Sequence, residues 1–127
     1  MTMPAGQPAK ILVVDDEPAI RDLLVELFAD EGYQVRAASN GRAAVTMVLD
    51  ETPDLIVMDV MMPELDGPET LKHLRTFPGL ERLPVILMSA ARHISSDGAG
   101  DVTFMPKPFN LDEVLDVVAR MLKLARS

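Results

Sequence analysis

The stretch Leu55-Ile56-Val57-Met58-Asp59 limits what this chain can fold into more than any other. Its apolar residues follow one another without a polar break, the pattern of a strand covered on both faces, as in a parallel sheet. Asp59 ends the run, and Val60-Met61-Met62-Pro63-Glu64-Leu65-Asp66-Gly67 leaves it as a loop bounded by Pro and Gly. Asp59 therefore falls at the carboxyl edge of a strand, where open α/β sheets bind ligands. A carboxylate there serves as a nucleophile, as a metal ligand, or as a cap for the turn that follows.

The rest of the chain supplies the sheet. Lys10-Ile11-Leu12-Val13-Val14 is a β-branched run broken by Asp15-Asp16-Glu17-Pro18. Beyond it Ile20, Leu23, Leu24, Leu27 and Phe28 recur at helical spacing, with Pro18 suited to the first turn and Gly32 to the stop. Residues 33–37 read as a weaker strand at a sheet edge. Ala44, Val45, Val48 and Leu49 predict a second helix reaching towards Pro53, and Pro68 opens a third that carries Leu71 and Leu74 and ends near Phe77. Residues 84–89 form another buried strand. Residues 102–105 form a fifth, with Pro106 tolerable only at an edge or a strand end. Asn110, with Glu113 three residues on, caps a final helix whose stripe is Leu111, Val114, Leu115, Val118 and Leu122. Between the last two strands, residues 90–101 hold one large apolar side chain among Ser and Gly, which predicts a shortened or disordered fourth helix. Strands alternating with helices imply right-handed crossovers. The expected architecture is a flavodoxin-like, doubly wound, five-stranded parallel sheet in the order 2-1-3-4-5.

Length and charge narrow the function. A chain of 127 residues makes one domain, expected over residues 10–124, with a flexible lead at 1–9 and a short tail at 125–127. Twelve basic against twenty acidic residues leave a net charge of −8, which argues against direct nucleic-acid binding and suits a divalent cation or a partly basic protein partner. No apolar run approaches the roughly 18 residues of a membrane span. The start carries no apolar core of a signal peptide and the chain has no cysteine, so a cytoplasmic location is expected.

Four polar features fall at the ends of four strands: Asp15-Asp16, Asp59, Ser89 and Lys107. Singly, most have a structural explanation. Acidic residues before a helix favour its dipole, Ser89 can bond to backbone, Lys107 can be solvated, and Asp66-Gly67 can be a plain turn. Together they outweigh it. In the 2-1-3-4-5 order the first and third strands are neighbours, so three carboxylates converge and repel one another unless a cation sits among them. Carboxylate, backbone and water oxygens in an open site suit Mg²⁺. Such a site can neutralise a phosphoryl group transferred to a carboxylate, with a hydroxyl and an ammonium holding its other oxygens.

These motifs resemble the receiver domain of two-component response regulators over nearly the whole chain. The carriers are Ile11-Leu12-Val13-Val14-Asp15-Asp16-Glu17, the run from Asp59 to Gly67, Ser89-Ala90 and Lys107-Pro108-Phe109. The resemblance is to the chemotaxis-receiver type, either stand-alone or cut from a longer protein. It implies a bacterial phosphorelay switch in which Asp59 accepts a phosphoryl group from a sensor histidine kinase or a histidine phosphotransfer protein. It further implies Mg²⁺ held by Asp16, Asp59 and the Met61 backbone carbonyl, with Asp15 helping through water. Ser89 and Lys107 would hold the phosphoryl group, Phe104 would be the switch aromatic, and the Lys107–Pro108 bond would be cis. A downstream protein target is implied, and the chain is a phosphoacceptor rather than a turnover enzyme.

Two departures stand out against that family. The segment from Ser89 to Lys107 is several residues short, where the fourth helix belongs, which puts the usual dimer surface in doubt. The positions two past Asp59 and two past Ser89, which tune loss of the phosphoryl group to water in the family, hold Met61 and Ala91. Neither can orient a water, so slow self-dephosphorylation is expected. The competing readings are a receiver-like interaction scaffold that is never phosphorylated and a Mg²⁺-dependent phosphohydrolase. The second wants a general acid near Asp59 and a cap-sized insertion, and the sequence offers neither.

Overall fold

A computed structural model describes residues 8–90 and 101–126. Five parallel strands, β1 (Lys10–Val14), β2 (Gln34–Ala38), β3 (Leu55–Asp59), β4 (Val85–Ser89) and β5 (Val102–Pro106), form one sheet in the order β2-β1-β3-β4-β5. Four helices are described: α1 (Pro18–Asp30), α2 (Gly41–Asp50), α3 (Gly67–Leu74) and α4 (Leu111–Arg126). This is the doubly wound order expected from the sequence. The shortened fourth helix expected at residues 90–101 and the lead at 1–9 fall largely outside the described residues. The last helix continues to Arg126, through the start of the stretch read as a tail.

Alternate residues of each strand feed opposite faces of the sheet, as the pleat requires. On one face Ile11, Val13, Leu55, Val57, Ile86 and Met88 pack with Leu24 and Phe28 of α1 and Val114 and Val118 of α4. On the other, Leu12, Val14, Ile56, Met58, Val85 and Leu87 pack with Ala44 and Val48 of α2 and Leu74 of α3. Every residue of β3 and β4 is buried, the condition that an unbroken apolar run meets. Each large side chain so buried contributes about 1.5–3 kcal/mol of transfer free energy.

The helix ends follow from local chemistry. Pro18 stands at the start of α1, and Gly32 turns the chain after it at φ +95°. Asn40 Oδ1 accepts from the Ala43 N–H to cap α2, and Asn110 Oδ1 accepts from the Asp112 and Glu113 N–H groups to cap α4. Asp66 is more than a turn residue: it and Glu69 form a reciprocal capping box that starts α3. α3 ends at Leu74 and tightens into i to i+3 turns that run to Phe77, the Thr76 N–H donating to the His73 carbonyl and the Phe77 N–H to that of Leu74, while Arg75 Nη1 donates to the carbonyls of Leu80 and Leu83 at 2.8 Å each. Leu23 and Leu49 carry the helical period but lie 42% and 51% exposed, since each helix presents a narrower stripe to the sheet than its apolar residues could cover.

Candidate functional site

Register fixes which side chains meet at the carboxyl edge. Val14 of β1 lies beside Met58 of β3, so Asp15 and Asp59 leave the sheet next to each other. Asp59 lies beside Met88 of β4, and Ser89, the following residue, pairs with Pro106 of β5. The Lys107 N–H then donates to the Ser89 carbonyl at 2.7 Å, which brings the last strand's end to the same edge.

Asp15 is held on every side but one. Its N–H donates to the Ala38 carbonyl at 3.2 Å, its Oδ1 accepts from the Glu17 N–H at 2.9 Å, and its carbonyl accepts from Arg21 Nη1 at 2.9 Å. Its Oδ2 is buried without a hydrogen-bond partner. Burial pushes the Asp15 carboxyl above its ordinary range, and the neighbouring charges of Asp59 and Asp16 push the same way. The Glu17 N–H and the Lys107 ammonium oppose them.

One oxygen from each of Asp15, Asp16 and Asp59 lies within 4.8 Å of the others, with Asp15 and Asp59 buried and Asp16 exposed. Lys107 Nζ stands 3.1 Å from Asp59 Oδ1 and 3.9 Å from Asp15 Oδ2. Lys107 reaches two of the three carboxylates, Asp59 and Asp15, and the buried Asp15 Oδ2 has no hydrogen-bond partner among the described residues, which suits a further cation. All-oxygen donors, open to solvent on the Asp16 side, fit a hard divalent cation such as Mg²⁺.

The structure thus brings together Asp15, Asp16, Asp59 and Lys107. Ser89 is buried one strand over at the same edge. Phe104 lies further back along β5, beside Leu87, half-buried against the α2–α3 face. In the loop after β3, Met62 is buried while Met61 is 72% exposed. The Lys107–Pro108 peptide bond is cis. Ala91 lies outside the described residues.

Sequence reasoning missed the supports around this cluster. Arg21, Gly41 and Thr70 all touch the loops that carry it; Arg21 and Thr70 carried no signal, and Gly41, which reads from sequence as the end of a Ser39-Asn40-Gly41 turn, is the first residue of α2. Only Asp66-x-x-Glu69 carried a readable signal, the capping-box spacing.

Comparison with known proteins agrees with this geometry. A family model described as response regulator receiver domain matches residues 11–119. The sporulation initiation phosphotransferase F of Bacillus subtilis is 41% identical over 119 residues, covering 91% of this chain and 94% of that protein. The response regulator MprA of Mycolicibacterium vanbaalenii is 40% identical over 123 residues, covering 94% of this chain but 51% of that protein. The chain therefore spans nearly all of the first relative and about half of the second. Among solved structures, the response regulator TrrA of Thermotoga maritima, in complex with Mg²⁺ and BeF, superposes with a TM-score of 0.78 at 36% identity. That match covers 89% of this chain and 98% of that one.

Proposed function

This chain belongs to the response regulator receiver domain family, and from that premise we propose that Asp59 is its phosphoacceptor, loaded from the phosphohistidine of a sensor kinase or a histidine phosphotransfer protein. The observation that carries the assignment is the convergence of Asp15, Asp16 and Asp59 with Lys107 3.1 Å from the Asp59 carboxylate. An Asp59 oxygen attacks phosphorus as the phosphorus–nitrogen bond of the donor breaks, and the released imidazole takes up a proton. Lys107 passes from the Asp59 carboxylate to an oxygen of the arriving phosphoryl group, so its charge stays paired throughout. Ser89, at the same edge, supplies a hydroxyl to another phosphoryl oxygen, and Phe104 is the aromatic that follows its movement.

Mg²⁺ would be held by Asp16, Asp59 and the Met61 carbonyl, with Asp15 reaching it through water; when bound it neutralises phosphoryl charge. Asp59 is 6% exposed, which limits competing solvent at the acceptor oxygen. The net charge of −8 favours a protein target over nucleic acid. Among the described residues no helix is long and apolar enough to cross a membrane. We take the site of action to be the cytoplasm, where a kinase's phosphohistidine is available.

Intact mass after incubation with Mg²⁺ and acetyl phosphate, wild type beside Asp59→Asn, tests the reading. One phosphoryl adduct, absent from the variant, supports it. Mg²⁺ binding with no adduct would move the assignment to an unphosphorylated interaction scaffold.

A further inference from the structure

We propose that the amino end of α2 is the backstop of the phosphoacceptor loop, with Gly41 and Thr70 as positioning residues for the metal site; this rests on the phosphoacceptor reading of Asp59. The loop from Val60 to Asp66 is tied at its root. The Val60 N–H donates to the Met88 carbonyl and the Gly67 N–H returns to the Val60 carbonyl, both at 2.8 Å. Gly67 is needed there, because a Cβ would stand 2.7 Å from the Asp59 carbonyl oxygen. These bonds fix where the loop begins and ends but leave its outer limb to be held by something else.

That support comes from α2. A Cβ on Gly41 would collide with Thr70 Oγ1 and stand 2.9 Å from the Leu65 carbonyl oxygen, so α2 meets the outer limb with no side chain between. Thr70 is fully buried, and its hydroxyl lies 2.7 Å from the Asp66 carbonyl and 3.5 Å from that of Leu65, a polar group spent on the same limb. The limb is under strain where it turns: Glu64 holds φ +69°, a conformation costly for a residue with a Cβ. α2 can resist because Ala44 and Val48, on its inner face, are fully buried in the core. On the inner limb Met62 is buried, and Met61 lies between it and the root at Val60, so a shift of the outer limb reaches Met61 through Met62. Displacing Leu65 outward rotates the peptide units behind it and misplaces the Met61 carbonyl relative to Asp59. Partners bonded directly to metal ligands change metal affinity by roughly 10–100-fold when removed, and a support acting through Leu65 is expected at the lower end of that range.

The test is Mg²⁺ affinity by calorimetry, with urea unfolding measured on the same samples. Gly41→Ala is expected to weaken Mg²⁺ binding about tenfold or more. Adding Thr70→Ala, which empties the space the new methyl needs, should restore part of it. Val118→Ala, a cavity under α4 on the opposite face of the sheet, should lower stability and leave Mg²⁺ affinity within about twofold. If Gly41→Ala does not fold, Thr70→Val gives the reading, since it keeps the shape and releases the Asp66 and Leu65 carbonyls; it should also weaken Mg²⁺. Folded Gly41→Ala with wild-type affinity, or equal losses in Gly41→Ala and Val118→Ala, overturns the proposal. Wild-type protein that binds no Mg²⁺ overturns it together with the phosphoacceptor reading. If wild type binds Mg²⁺ yet takes no phosphoryl group from acetyl phosphate, that reading falls alone, and the affinities still decide the role of Gly41.

Discussion

Lys107 Nζ sits 3.1 Å from Asp59 Oδ1, occupying the charge-neutralising position beside the carboxylate that a divalent cation must share. The two cations therefore compete electrostatically. Lys107→Met is expected to tighten Mg²⁺ binding by about 1 kcal/mol, roughly fivefold, while slowing phosphoryl uptake from acetyl phosphate by about 10²-fold. Calorimetry and timed intact mass read the two effects separately. Weaker Mg²⁺ binding would show that the ammonium organises the site instead of competing for it.

Asp15 makes the metal-free protein pH-sensitive. Its folded carboxyl titrates above its unfolded value, so between those two pH values the native state binds more protons than the unfolded chain. Stability therefore falls as pH rises through that window and stays lower above it. In EDTA at pH 7, Asp15→Asn should gain about 1–3 kcal/mol in urea unfolding, with the Glu17 N–H still satisfied by the amide oxygen. The gain should disappear below the ordinary carboxyl range. A gain that persists at low pH would have to come from packing.

Glu64→Gly should raise stability by roughly 0.5–1 kcal/mol, because it relieves a left-handed backbone while costing some chain entropy. The Arg42–Glu64 pair it removes is 80% and 77% exposed and adds little. An unchanged or lower urea midpoint would indicate that the loop carries no such strain.

Met61 predicts a long-lived phosphorylated form. Its side chain, two positions past Asp59, is exposed and has no group that can orient a water towards phosphorus. Met61→Asn should speed decay of the aspartyl phosphate by about tenfold, on the scale of positioned hydrogen-bonding assistance. Intact mass after removal of acetyl phosphate measures it, and equal decay rates would refute the role.

Much of this was legible in the residues. The apolar runs at Leu55–Asp59 and Val85–Ser89 announced strands buried on both faces, and alternation with helical stripes led to the observed sheet order. The polar residues at strand ends stood out because each interrupts an apolar pattern. What escaped notice lies in contacts between distant segments. Gly41 reads as a plain turn residue until Leu65 and Thr70 are brought against it, and Arg21 gives no sign that it will hold the Asp15 carbonyl. The exposure of Leu23 and Leu49 escaped for a related reason: periodicity says which residues share a face, not how much of that face the neighbours cover. Arg75 likewise gives no sign that it will hold the carbonyls of Leu80 and Leu83, which lie beyond α3.

The cluster is assembled from the ends of β1, β3 and β5, so Asp15 and Lys107, near opposite ends of the described domain, are needed at one point. No fragment that stops before the last strand can contain it. On the proposed reading, a phosphoryl group on Asp59 would report that β1, β3 and β5 have come into register, because a chain truncated before β5 or paired out of register lacks the charge arrangement. A partner that recognises the phosphorylated form would be reading the state of the sheet in the same event.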